Sequence, residues 1–280
     1  LETVRKKIAA VDANSLTMGQ QSLIDCLVPH QWFNPFPKIR YTERPDAVAA
    51  SILEGSIVVL IDNSPAAMII PTGIFDFLQD TNDYYMSPVI GSYMRIIRMA
   101  IFAMTMLLTP IWFLLIKNPE YIPQWLEFIK IEKPNTVPVA AQLFIVEIVI
   151  DAMRLASINT PSTLSNSFGV IGALVLGEFA VSAGWFVPEV VLYMAFVAMT
   201  NFTQPSFELG YAFKLMRMML IALIALFNLW GFIAGILIII IEISSVRTVT
   251  GSCYLYPLIP FNGSALSSLL LRKPLSRKNN

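Results

Sequence analysis

Apolar positions along the chain change their spacing near residue 98. Before it they come in short runs. Ile57-Val58-Val59-Leu60-Ile61 and Ala66-Ala67-Met68-Ile69-Ile70 flank Asn63-Ser64-Pro65, whose turn chemistry predicts a reversal between antiparallel strands. Upstream, Val48, Ile52 and Leu53 recur at helical spacing behind Thr42-Glu43-Arg44-Pro45-Asp46, with Pro45 tolerated in a first turn and Gly55 as the stop. Downstream, Thr72 is the expected cap of a helix through Phe75, Phe77 and Leu78, and Asn82-Asp83-Tyr84-Tyr85 the entry to another. These elements predict a small α/β portion over residues 1–97.

From Arg98 the runs lengthen. Met99 to Ile116 carries no charge over eighteen residues, enough to cross a hydrocarbon core of about 30 Å. Residues 117–136 hold three prolines and several aromatics, as an interfacial loop does. Residues 137–158 are apolar but interrupted by Glu147, Asp151 and Arg154, and residues 168–186 and 187–202 hold one charge each, Glu178 and Glu189. Residues 215–243 would measure about 43 Å as one helix, long for a single crossing, and Asn228-Leu229-Trp230-Gly231 interrupts them.

The fold class expected is therefore an α-helical multi-pass membrane protein, residues 98–245 forming five to six segments, with a small cytoplasmic α/β N-terminal portion. With four crossings before it, the loop holding Lys214 and Arg217 falls on the cytoplasmic side, where basic loops belong. A single final span would leave Arg247, Arg272, Lys273, Arg277 and Lys278 outside. A final hairpin, split near 228–231, avoids that and makes residues 246–280 a cytoplasmic tail.

Composition supports the membrane reading. Hydrophobic residues make up 56% and charged residues 14% of the 280, against roughly 25% charged in soluble domains, and the mean hydropathy is +0.65. Nineteen basic residues balance nineteen acidic ones, which argues against nucleic acid as a partner. Charge is uneven: residues 1–97 carry seven basic and ten acidic side chains, residues 137–245 only three and six. Cys26 and Cys253 lie far apart and read as free thiols, and His30 has no metal-ligand or triad spacing around it. The chain opens on Leu-Glu-Thr with no signal pattern, so an upstream portion is expected. No nucleotide, hydrolase or metalloprotease motif is present, so no enzyme activity, cofactor or metal is expected.

Charges in apolar segments are the candidate chemistry, because an ionisable group at mid-bilayer costs about 2.5–3.5 kcal/mol on insertion scales. Glu147, Asp151 and Arg154 stand at i, i+4 and i+7, on one helical face. Either Asp151 and Arg154 neutralise each other and leave Glu147 to water, or all three line a wet surface; the competing reading is an ion-pair staple between helices. Asn159, Thr160 and Ser162 open a nine-residue polar stretch to Ser167, a pore-mouth element or an ordinary loop. Glu178 sits among small residues from Gly172 to Ala180 that permit close helix approach, so its carboxylate meets either an ion or a partner helix.

Tyr41-Thr42-Glu43-Arg44-Pro45-Asp46, Leu53-Glu54-Gly55, Asp62-Asn63-Ser64-Pro65, Pro71-Thr72, Asp83-Tyr84-Tyr85, Gly172 to Gly177-Glu178, and Pro205-Ser206 with Glu208-Leu209 resemble the A subunits of spore germinant receptors, the GerA family. Asp151 to Pro161, Glu189 to Ala195 and Tyr256 to Asn262 are more similar to its stage V sporulation protein AF branch. The resemblance implies a multi-pass protein of the spore inner membrane in an endospore-forming bacterium. It further implies an oligomeric ring, surrounded by bilayer lipid and other germination membrane proteins, that conducts cations out of the spore. The alternatives are a nutrient-receptor A subunit or a non-conducting scaffold, with proton-coupled transport a more distant reading.

Overall fold

Three short strands, β1 (Arg40–Thr42), β2 (Ile57–Val59) and β3 (Ala67–Ile70), form an antiparallel sheet of order β1-β3-β2. Ile57 lies opposite Ile70 and Val59 opposite Met68, so the two apolar runs pair across the Asn63-Ser64-Pro65 region. β1 pairs with the other edge of β3, Arg40 opposite Ile69, which makes β3 central and buries all four of its residues. The computed structural model describes residues 1–11, 19–28, 34–62, 64–80, 82–132, 136–159, 172, 174–202, 204 and 206–271. His30 and the polar stretch from Thr160 to Ser167 lie outside them.

Around the sheet stand helices α1 (Glu2–Ala9), α2 (Gln20–Leu27) and α3 (Pro45–Leu53). Val4, Leu23 and Leu27 pack with Ile39, Met68, Ile70 and Val249. The turn after β3 differs from the capping expected at Thr72. Residues Ile74–Leu78 form a 3-10 helix whose N-cap is Gly73, its N–H donating to Asp76 Oδ2 at 2.7 Å. The Thr72 hydroxyl instead donates back to Ile69 O at 2.8 Å. A single turn, α4 (Asn82–Tyr85), follows.

The chain divides into two compact units, residues 1–100 with 204–212 and 239–280, and residues 101–203 with 213–238. Residues 246–271, part of the cytoplasmic tail expected over 246–280, fall in the same unit as the sheet. The reason lies in what they bury. Tyr254 is fully buried, its hydroxyl donates to Pro37 O at 2.7 Å and its carbonyl accepts from Ile74 N at 3.0 Å. Lys7 Nζ donates to Leu27 O and Val249 O at 3.2 and 2.9 Å.

Helix α5 (Pro88–Lys117) runs through the boundary expected at 97/98. Arg95 and Arg98, just before the apolar run, are held by Asp83. Arg98 grips it with two hydrogen bonds of 2.8 and 2.9 Å, and Arg95 Nε lies 3.4 Å away. A bidentate guanidinium–carboxylate pair of this kind lets charges enter a buried helix face.

The second unit is helical: part of α5, α6 (Val139–Asn159), α7 (Pro188–Phe202) and part of α8 (Phe207–Ser245). Trp112, Leu143, Val146, Val190, Met194 and Ile224 fill its core. Gln142, fully buried, donates to Val137 O at 2.7 Å and accepts from Val187 N at 2.9 Å, satisfying a backbone donor just ahead of α7.

Within α8 the helix is broken at Asn228, with φ 53° and ψ −130°. The chain reverses there. A Cβ on Gly231 would collide with the Leu223 carbonyl, and one on Gly235 with the Leu220 side chain, so the legs before and after Asn228 lie against each other through a small-x-x-x-small pair. Lys117 Nζ donates to Ile224 O and Ala225 O, both at 2.9 Å, covering carbonyls that the helix end leaves unpaired. Asn118 and Asn228 exchange side-chain hydrogen bonds of 2.7 Å.

Among the described residues, two helices, α5 and α8, are long and apolar enough to cross a membrane. α6 has 21 residues but carries Glu147, Asp151 and Arg154.

Candidate functional site

The charges on α6 meet charges on α8. Glu147 and Asp151 are one turn apart on α6, and Lys214 and Arg217 are three residues apart on the first leg of α8, so each pair shares a face. Arg217 Nη2 donates to Glu147 Oε1, and Lys214 Nζ pairs with Asp151 Oδ2. Lys214 Nζ also lies 3.8 Å from Glu147 Oε1 and 3.4 Å from its carbonyl oxygen. Arg217 is 2% and Glu147 4% exposed, whereas the Asp151 side chain keeps 34%.

Threonines extend this polar core. Arg217 Nη1 donates to Thr105 O at 2.6 Å, and the Thr105 hydroxyl donates to Thr200 Oγ1 at 3.0 Å, which donates to Val197 O at 2.8 Å. Side chains from α5, α6, α7 and α8 thereby converge inside an otherwise apolar unit. Beside them lies a cavity of about 20 Å³ lined by Glu147, Asp151, Arg154, Asn201, Lys214 and Arg217, among others.

Of the residues singled out by sequence, Glu147, Asp151 and Arg154 come together here. Glu147 faces Arg217 rather than water. Asn159 is the last residue of α6, and Thr160 and Ser162 fall outside the described residues. Glu178 stands on a π turn, Leu174–Phe179, is exposed and does not line the cavity. Lys214 and Arg217, expected in a basic loop, are instead buried helical counter-charges. Their one trace in the sequence is a pair of cations at i, i+3 opening an apolar run, opposite in sign to the acidic pair on α6, a pattern that a basic loop edge shares.

A second charged site surrounds the Thr42–Asp46 segment of the first unit. Arg44 donates to both Asp46 oxygens at 3.1 and 2.6 Å and to Asn82 Oδ1 at 3.1 Å. Tyr85 adds a hydrogen bond of 3.2 Å to Asp46. The Arg44 hydrogen bond holds the Asp46 carboxyl at about 2. Asp76 moves the other way, raised by burial against the opposing hydrogen bond from Gly73.

No solved structure matches the chain. It is 39% identical over 272 residues to stage V sporulation protein AF of Bacillus subtilis (strain 168), covering 97% of this chain and 55% of that protein. It is 28% identical over 277 residues to spore germination protein KA of the same organism, covering 98% and 50%. With spore germination protein GerLA of Bacillus cereus the identity is 30% over 240 residues, covering 85% and 49%. The chain spans about half the length of the curated relatives it matches. The family described as Bacillus/Clostridium GerA spore germination protein matches residues 1–280, a range holding both the paired charges of α6 and α8 and the Arg44–Asp46 site, and the chain belongs to that family.

Proposed function

We propose that the chain acts in spore germination as a subunit of an oligomeric, multi-pass assembly of the spore inner membrane, and that the assembly conducts cations. The observation that carries this reading is the polar core of Glu147, Asp151, Lys214 and Arg217 inside an apolar helical unit. Ionisable groups are costly at such positions and are retained there for a task. The cavity beside them is too small to be a conduit in one chain, so the path runs between subunits, with Asp151 as the member of the core that keeps a surface to reach it. Other germination membrane proteins are the partners of the assembly.

One observation favours a second reading, a non-conducting scaffold: both carboxylates already have cationic partners within the chain. The test is cation flux from liposomes holding full-length protein, comparing wild type with Glu147→Ala and Asp151→Ala at matched incorporation. Flux that Asp151→Ala alters supports conduction. Absence of flux from correctly oligomerised protein, with both substitutions acting only through abundance, supports the scaffold.

A further inference from the structure

The cavity beside the charged core has a chemistry of its own. Two polar atoms of its lining residues, Arg217 Nε and Asn201 Oδ1, are buried and have no hydrogen-bond partner among the described residues. Arg217 is 2% exposed, and its two terminal nitrogens are already committed to Glu147 and to Thr105 O. Nε–H can only donate, whereas an amide oxygen can only accept. A cation would suit Asn201 and be repelled by the guanidinium, and an anion would do the reverse. A guest that accepts one hydrogen bond and donates another suits both.

Size narrows the choice. A buried water needs roughly 10–15 Å³ of such space and two to four polar partners, and the cavity offers about 20 Å³. We propose that it is the binding site of a single ordered water, which accepts from Arg217 Nε and donates to Asn201 Oδ1. Its second hydrogen is left for the carboxylates of Glu147 and Asp151, which line the same space. The water joins α7 to the core that α6 and α8 build, and makes Asn201 a positioning residue for Arg217. This site stands on the cavity and its two atoms and is independent of the conduction reading.

Solid-state NMR of arginine- and asparagine-labelled protein in bilayers tests it. Magnetisation from water should reach the Arg217 Nε–H in wild type and be lost in Asn201→Leu, which keeps the bulk and removes the acceptor. No transfer in wild type, or transfer unchanged in Asn201→Leu, overturns the proposal. So does an Nε shift when chloride is exchanged for bromide, since that reports an anion beside an asparagine turned to present its NH₂. If Asn201→Leu does not incorporate, a water-resolving density map of wild type decides: a peak at about 2.7–3.2 Å from both atoms supports the site, and none overturns it.

Discussion

Arg217 is almost wholly buried within the second unit. It answers both the Glu147 carboxylate and the Thr105 carbonyl. Removing one partner of a buried pair leaves a bare charge, at a cost of about 3–5 kcal/mol, whereas replacing both with apolar groups is often neutral. Glu147→Leu and Arg217→Leu should therefore each lower the thermal stability of the purified protein strongly, and the double variant less than either alone. Asp151→Asn should be milder, because a third of that side chain meets solvent. The acidic face of α6 was legible from the i, i+4, i+7 spacing. Its partners were not, because Lys214 and Arg217 stand at the polar edge of an apolar run, where a loop charge and a buried counter-charge look alike in one sequence.

At Asp46 the direction of a pH effect follows from the pair with Arg44. Its folded carboxyl lies at about 2, below the ordinary aspartate value of 3.8. A depressed acid contributes stability that is present above the unfolded value and lost as pH falls through the folded one. The carboxyl ¹³C titration of Asp46 should have its midpoint near 2 in wild type and move up toward the ordinary value in Arg44→Ala.

The hairpin in α8 depends on two glycines and one asparagine. Gly231 and Gly235 face the first leg so closely that a Cβ would meet its backbone at 231 and its leucine side chains at 235. Overpacking typically costs about 1–3 kcal/mol. Gly235→Leu meets flexible leucine tips and should fall in that range, while Gly231→Ala meets backbone and should be the more damaging despite its smaller size. Thermal unfolding of the two variants side by side checks the order. Among the strands, β2 and β3 were legible as apolar runs around a turn. β1 was not: Arg40-Tyr41-Thr42 has no apolar pattern, and its pairing with Ile69 and Met68 makes it a strand. The capping expected at Thr72 failed for a similar reason, since the close of the sheet uses that hydroxyl first.

Residues 1–87 and 246–271, outside the long apolar helices, pack together, so in a membrane-spanning arrangement both lie on the same side, and the chain between them crosses an even number of times. The legs of α8, residues 207–227 and 229–245, measure about 31 and 26 Å at helical rise, each within the length of a single crossing. A membrane-impermeant thiol reagent should accordingly reach Cys26, which is exposed, and a cysteine placed at the exposed Phe261 from the same face. Labelling from opposite faces would contradict the shared unit. Sequence charge could suggest the reversal but not the company residues 246–271 keep, because Thr, Ser and Gly around Val249 and Tyr254 look like a solvated tail.

The place of Tyr254 also sets an order on how the protein is made. Its hydroxyl donates to Pro37 O and its ring lies against Phe36, and Val249 fills the cluster built on Val4, Leu23 and Met68. Those late residues leave the ribosome after both legs of α8. Residues 1–100 therefore wait, with part of their apolar surface uncovered, until residues 246–254 have been made, and their unit closes only after both legs of α8 are complete.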